Sequence, residues 1–131
     1  PDMVIMDSER KRALIIELAI SDPNNMAMQK EIKIARYRVN STEYVDHTNY
    51  DKVARGSNLV DEMKSTYKLD KVRLLVVIVG TCGEILKGTD RELAKTLKLD
   101  KTETLDLIER LQRSAVLGSS RIVKNHFGST R

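Results

Sequence analysis

The sequence predicts an α/β domain, because one chain carries two neighbouring β-branched runs, one continuous apolar run and a helical last third. Residues Met3–Met6 and Ala13–Ile20 are rich in aliphatic side chains, and a polar segment separates them, which predicts a β-hairpin. Lys71–Val79 is continuously apolar after its first residues, as in a strand buried on both faces. We expect the hairpin and this central strand to form a mixed β-sheet flanked by helices.

Amphipathic spacing predicts where the helices lie. A broken apolar stripe favours a helix from about Tyr50 to Tyr67. Asp90–Leu97 is expected to form a helix capped by its first residue, and Thr102 is expected to cap a longer C-terminal helix, which Gly118 would break or kink. The pattern over Met26–Tyr37 fits a helix and, in part, a strand, so the structure of this segment stays open.

Composition limits the class of protein. The chain has 131 residues, of which 40% are hydrophobic and 32% charged, so we expect one globular domain covering residues 1–131. The single cysteine, Cys82, cannot form an internal disulfide, and no apolar run approaches the roughly 20 residues that cross a bilayer. We therefore expect a nuclear or cytoplasmic protein that is neither secreted nor membrane-embedded. A net charge of +4 is compatible with a polyanionic partner.

Two familiar kinds of site are excluded by spacing. Residues 80–83 lack the Lys-Ser/Thr pair that a phosphate-binding glycine loop requires. His47 and His126 are far apart, and neither has Cys or His neighbours at zinc-ligand spacing. The chemistry must therefore come from other side chains.

Two carboxylates are the candidates for a metal site. Asp2 begins the first strand and Glu17 lies inside the second, with 14 residues between them, so hairpin pairing would bring them together. Converging carboxylates are what Mg²⁺ binds in proteins, together with water and phosphate oxygens. The alternative is that Glu17 faces solvent on an alternating strand and that Asp2 lies at a solvated chain end.

These residues resemble the PD-(D/E)xK nuclease superfamily, through Pro1-Asp2 and then Glu17-Leu18-Ala19. More narrowly, the chain resembles the restriction-like endonuclease domain at the carboxyl end of non-LTR retrotransposon polyproteins, where a Pro-Asp is followed at similar spacing by an acidic residue. The segments that carry the resemblance further are 14–20, 76–83 and 111–122. The resemblance implies a restriction-endonuclease-like core and a chain that is the C-terminal part of a larger polyprotein.

The chain departs from the superfamily pattern at one position. Ala19 stands where a lysine is expected, two residues after the acidic residue. In the retrotransposon branch a helix carries the basic residue, and the resemblance implies Lys52 as the catalytic lysine, with Arg55 second. A basic row that includes Lys33 is another candidate source of this charge if the segment is helical. The residues expected to contact nucleic-acid phosphates are this row and Arg55: Lys30, Lys33, Arg36 and Arg55.

The resemblance implies a divalent-metal-dependent DNA endonuclease that nicks a target site for retrotransposition. Asp2 and Glu17 would bind Mg²⁺ or Mn²⁺, with the Leu18 carbonyl as a third ligand. The implied partners are DNA, the reverse transcriptase and RNA-binding segments of the same polyprotein, and a second copy in a homodimer. Two alternatives stay open: an inactive nucleic-acid-binding or assembly domain that kept the nuclease fold, and a protein-interaction domain with no nucleic-acid role.

Overall fold

The computed structural model describes residues 1–38 and 58–128. Its strands are β1 (Met3–Asp7), β2 (Arg12–Ser21) and β3 (Lys71–Gly80). Its α-helices are α1 (Met26–Arg38), α2 (Leu59–Thr66), α3 (Thr89–Leu97) and α4 (Lys101–Gly128), and a short 3-10 turn, Pro23–Asn25, precedes α1. The predicted α/β class and the helical C-terminal part are confirmed.

The three strands form one mixed sheet in the order β1-β2-β3. β1 and β2 are the predicted antiparallel hairpin, with Met3 opposite Ile16. β3 runs parallel to β2, because the Lys71 N–H donates to the Lys11 carbonyl at one end (3.3 Å) and the Thr81 N–H donates to the Ser21 carbonyl at the other (3.1 Å). In the described sheet β2, and not β3, therefore holds the central position, so that part of the prediction is wrong.

The predicted burial of β3 is nevertheless correct. Leu75, Val76, Val77 and Ile78 are each at most 2% exposed, so both faces of this strand are covered although it lies at a border of the described sheet. A continuous apolar run indicates that both faces of a strand are buried. It does not indicate whether the strand has a hydrogen-bonded neighbour on one edge or on both.

The chain divides into two compact units. The first comprises residues 1–18 and 28–77. Its core joins Ala13 and Ile15 of β2 to Met63 of α2 and to Leu69, with Val72 and neighbouring aliphatic residues packed against them. α2 begins after Asn58, whose side-chain oxygen accepts a hydrogen bond from the Asp61 N–H. The earlier part of the helix predicted over 50–67 lies outside the described residues.

Helix α1 settles the segment that the sequence left open. Pro23 and the Asp22 side chain, which accepts from the Asn24 N–H at 2.8 Å, end the path of β2 and begin the helical turn. Met26 and Ile32 are each 3% exposed, so α1 carries buried apolar side chains in its first two turns. The polar residues described below lie in its second half.

The second unit comprises residues 19–27 and 78–131, and α3 packs on α4 within it. α4 starts with a capping box: Asp100 Oδ1 accepts from the Glu103 N–H (2.8 Å) and Glu103 Oε1 accepts from the Asp100 N–H (3.2 Å). The hydrogen bond that the Asp100 carboxylate accepts from the Glu103 N–H lowers the pKa of Asp100. The predicted cap at Thr102 is therefore wrong, because the competing acidic residue two positions earlier has the reciprocal partner.

Two other helix predictions need correction. α3 begins after Gly88, whose φ of 92° suits glycine, so Asp90 lies in the first turn and is not the cap. α4 continues through Gly118 without interruption, because the cost of one glycine, about 1 kcal/mol, is small against the flanking helical turns. Within the two described ranges, no helix has both the length and the apolar character needed to cross a membrane.

Candidate active site

The hairpin places Asp2 and Glu17 side by side. The Asp2 N–H donates to the Ile16 carbonyl at 3.1 Å, and Asp2 Oδ2 accepts from the Leu18 N–H at 2.7 Å. These two hydrogen bonds fix Asp2 to the backbone on both sides of Glu17. The position of the first carboxylate is thus set by main-chain geometry, which a longer or shorter hairpin would not reproduce.

Glu17 points into the protein and not to solvent. Along β2, Ala13, Ile15 and Glu17 are buried on one face, whereas Leu18 and Ile20 on the other face are 44% and 55% exposed. Because side chains alternate along a strand, the buried face is the one that carries the core of the first unit. The alternative that Glu17 lies on a solvated face is therefore wrong. A carboxylate that is 7% exposed needs polar partners.

Helix α1 supplies those partners. The Lys33 ammonium donates to Glu17 Oε1 at 2.8 Å, and the Tyr37 hydroxyl donates to Glu17 Oε2 at 3.1 Å. Lys33 and Tyr37 are four residues apart, so they share one face of the helix. The nitrogen of Pro1 lies 3.9 Å from Oε2. Both carboxylate oxygens of Glu17 therefore accept hydrogen bonds from side chains of a single helix.

The environment of Tyr37 keeps its hydroxyl protonated. Burial raises the pKa of Tyr37 above its ordinary value of 10.0, and the hydrogen bond to Glu17 and the charge of Glu17 raise it further. Asp2 adds in the same direction, while Arg36 opposes it. The pKa of Tyr37 thus responds to both carboxylates, which places Asp2 and Glu17 in the electrostatic surroundings of one phenol.

The basic residues expected at the site have different locations. Lys33 is the lysine that the structure brings to Glu17, and its side chain is only 19% exposed. Lys30 and Arg36 are half-buried on the same helix. Lys52 and Arg55 lie outside the described residues, so their proposed roles stay predictions. The lysine that lies beside Glu17 thus comes from the helix that follows the hairpin, whereas β2 carries Ala19 two residues after Glu17.

Sequence reasoning did not identify Tyr37 as a site residue. The signal that could have found it is the Lys33–Tyr37 spacing, which puts an ammonium and a phenol on one helical face only if the segment is a helix. Because the pattern over Met26–Tyr37 fits both a helix and a strand, the spacing alone does not predict that the two side chains share a face.

The residues present suit a cation that needs few protein ligands. Within the described ranges, no group of three or more His, Cys, Asp or Glu residues lies close enough to hold a metal ion. Mg²⁺ commonly takes one or two carboxylates and keeps water and phosphate oxygens as its other ligands. Asp2 and Glu17 meet that smaller requirement, provided that Glu17 exchanges at least one of its present hydrogen bonds.

Comparison with protein-family models, with curated proteins and with solved structures gives no match for this chain. Four side chains gather at the open end of the hairpin, and we call them the Glu17 cluster: Asp2, Glu17, Lys33 and Tyr37.

Proposed function

We propose that this chain is a divalent-metal-dependent DNA endonuclease with a restriction-endonuclease-like core. The observation that carries the proposal is the Glu17 cluster. In it the buried Glu17 carboxylate accepts a hydrogen bond from the Lys33 ammonium at 2.8 Å, and a second carboxylate, Asp2, lies on the neighbouring strand. Two carboxylates and one lysine are the set that the superfamily's hydrolysis of phosphodiesters uses. A buried ion pair stabilises a fold only weakly, because the cost of desolvating the two charges offsets most of their mutual attraction. This favours a functional reason for the arrangement.

Asp2, Glu17 and the Leu18 carbonyl would hold the Mg²⁺ or Mn²⁺ ion. The Leu18 N–H points to Asp2, and in an extended strand the N–H and C=O of one residue point to the same side. The Leu18 carbonyl is therefore directed to the edge where Asp2 lies. When bound, the cation would supply Lewis-acid activation of water and neutralise charge on the phosphate.

Lys33 would supply the positive charge that Ala19 cannot. Its ammonium is within hydrogen-bond distance of Glu17 and reaches the cluster from a helix, so its position is independent of the strand that carries the acidic residue. With Glu17 bound to a cation, Lys33 would be free to donate a hydrogen bond to an attacking water or to a non-bridging phosphate oxygen. Tyr37 would keep the remaining Glu17 oxygen in place.

The substrate class follows from charge and from the family resemblance. A chain with a net charge of +4 attracts a polyanion, and Asp2 is the exposed member of the cluster, at the open end of the hairpin. We propose target-site nicking that serves reverse transcription by other segments of the same polyprotein. Whether one strand or both are cut would depend on pairing with a second copy.

A second function is favoured by a specific observation. Both oxygens of Glu17 already accept hydrogen bonds from protein donors, so the cluster is complete as an ion pair without any cation. An inactive nucleic-acid-binding or assembly domain would keep such a pair for packing. The two proposals differ in whether Glu17 must be a carboxylate for DNA to be cut.

Nicking of supercoiled plasmid tests the proposal. The chain would be incubated with Mg²⁺ or Mn²⁺, with an EDTA control, beside three cluster variants: Asp2→Asn, Glu17→Gln and Lys33→Met. Matched controls are Asp90→Asn and Lys95→Met, which remove the same charges from exposed positions on α3. We expect nicking by the parent chain and both controls, and loss of at least a hundredfold in every cluster variant, since positioned charges of this kind contribute about 10²–10³ in rate.

The outcomes separate the two functions. Metal-dependent nicking that disappears in the cluster variants supports the endonuclease. Binding of DNA without nicking by the folded parent chain supports the inactive domain instead. Nicking that survives Glu17→Gln refutes a role of this cluster in the cutting.

A further inference from the structure

A group of basic side chains lies at the turn end of the hairpin, opposite the end that carries Asp2. The hairpin turn and the first residue of β2 contribute two of them, and the linker after α2 and the first three residues of β3 contribute three. We call this group the turn patch, and its members are Lys11, Arg12, Lys68, Lys71 and Arg73. All five are exposed, and all belong to the first compact unit.

Main-chain hydrogen bonds hold the two parts of the turn patch together. The Lys11 carbonyl accepts from the Asp70 N–H at 2.7 Å and from the Lys71 N–H at 3.3 Å. Arg12 and Arg73 lie on neighbouring strands, β2 and β3, just after these bonds. The patch is therefore built on a fixed backbone and does not depend on a flexible loop.

Ion pairs within residues 1–38 and 58–128 do not neutralise the patch. Residues 8–12 and 68–73 contain six basic residues against two acidic ones, Glu9 and Asp70, and the sixth basic residue, Arg10, pairs with Asp7. Among the described residues, none of the five patch side chains lies within 4.0 Å of a carboxylate as an ion pair. Within the described part of the chain these five charges are therefore not paired, and their side chains are exposed to anions in solution.

Two patch lysines occupy positions that suit glycine. Lys11 has a φ of 50° and Lys68 a φ of 51°, in the left-handed region that L side chains rarely adopt. A lysine at such a position strains the backbone relative to glycine. The same conformation occurs at Lys98, which ends α3 in the second unit, so the chain offers a matched comparison.

We propose that the turn patch binds the phosphate backbone of duplex DNA. Binding of DNA by the patch does not depend on the proposed endonuclease activity. The distance from the patch to the cleavage site rests on that proposed function. β1 is five residues long, so the patch lies about 17 Å from Asp2 at about 3.4 Å per residue. Phosphates of one strand are spaced about 3.4 Å along the duplex axis, so a duplex along the hairpin presents a phosphate to the patch about five base pairs from the cut.

Salt-dependent binding to a short labelled duplex in EDTA tests the proposal. EDTA prevents cutting, so the result is independent of nuclease activity. The variants are Lys11→Gly and Lys68→Gly, with Lys98→Gly as the control, because all three remove one charge and relieve the same backbone strain. We expect each patch variant to reduce the slope of log affinity against log salt by about 0.9, and affinity at 0.1 M salt by about eightfold. Lys98→Gly should leave both unchanged.

Melting temperatures check that the glycine variants remain folded, and none should fall below the parent value. A second set, Arg12→Gln and Arg73→Gln, removes patch charges from strand positions and should give the same slope change. If Lys11→Gly and Lys98→Gly reduced the affinity and the salt slope equally, the proposal would be overturned, because binding would then depend only on the net charge of the chain. An equal loss of affinity for single-stranded RNA would overturn the assignment to duplex DNA. If the Glu17 variants lose nicking but keep the parent salt slope for DNA binding, the proposal that the patch binds DNA is supported independently of the cleavage site.

Discussion

The Lys33 ammonium lies 2.8 Å from Glu17 Oε1, although the two residues are 16 positions apart and belong to a helix and a strand. The side chains are 19% and 9% exposed, so the pair is screened by water much less than a surface ion pair. This contact is both a tertiary link between α1 and β2 and the polar centre of the proposed active site. Structural and catalytic contributions of Lys33 must therefore be separated by experiment.

Lys33→Met is expected to lower the free energy of unfolding by about 2 kcal/mol, because it leaves a buried carboxylate without its cationic partner. The double variant Glu17→Gln, Lys33→Met should recover at least half of that loss, since it removes the unpaired charge as well. Urea unfolding of the parent, both single variants and the double variant gives the coupling energy. Additive single effects would contradict an ion pair that forms in solution.

Tyr37→Phe is expected to change how stability depends on alkaline pH. The pKa of Tyr37 is raised in the folded chain by burial and by Glu17, so the folded state holds the phenolic proton more tightly than the unfolded state. This contribution is fully present below the ordinary pKa of 10.0 and is lost as pH rises through the higher folded pKa. Urea midpoints at pH 8 and above pH 10 should therefore diverge more in the parent than in Tyr37→Phe.

The Tyr37 comparison has an internal control. Tyr67 is 57% exposed, so Tyr67→Phe removes a phenol of the same type from a solvated position. Its pH profile should match that of the parent chain. If Tyr37→Phe also matches the parent, the hydroxyl does not bind Glu17 in solution.

Asp2→Asn and Asp2→Ala are expected to separate the hydrogen bond of Asp2 from its charge. Asparagine can accept from the Leu18 N–H as Asp2 Oδ2 does, so Asp2→Asn should keep the parent stability within about 0.5 kcal/mol. Asp2→Ala removes the acceptor and should cost about 1 kcal/mol. Both should abolish metal-dependent nicking, because neither supplies a negative charge. Nicking by Asp2→Asn would show that Asp2 has only a structural role.

The elements that the sequence predicted best are those decided by local pattern. The hairpin follows from two aliphatic runs around a polar turn, and β3 follows from its continuous apolar stretch. Helix ends were less predictable, because neighbouring polar residues compete to cap a helix: Asp100 prevailed over Thr102 through its reciprocal bond with Glu103.

The partners of Glu17 were only partly predictable. Asp2 follows from hairpin pairing, which is short-range information. The positions of Lys33 and Tyr37 depend on whether Met26–Arg38 forms a helix or a strand. Its apolar pattern fits both, so local sequence does not determine which one forms. The sequence therefore named Lys33 as one of several candidate lysines for the proposed site. The contact with Glu17 that distinguishes Lys33 from the others could not be predicted from the sequence.

Lys33→Met is also expected to strengthen metal binding while it abolishes nicking. A divalent cation at Glu17 and the Lys33 ammonium would lie within a few ångströms, where like charges repel by several kcal/mol even in a partly solvated site. Removing the ammonium should raise Mn²⁺ affinity at least tenfold, measured by calorimetric titration of the chain. Glu17→Gln should instead weaken binding, and the exposed control Lys95→Met should have no effect. If Lys33→Met binds Mn²⁺ no better than the parent, the cation does not share Glu17 with Lys33, and the ion pair has no part in holding the metal.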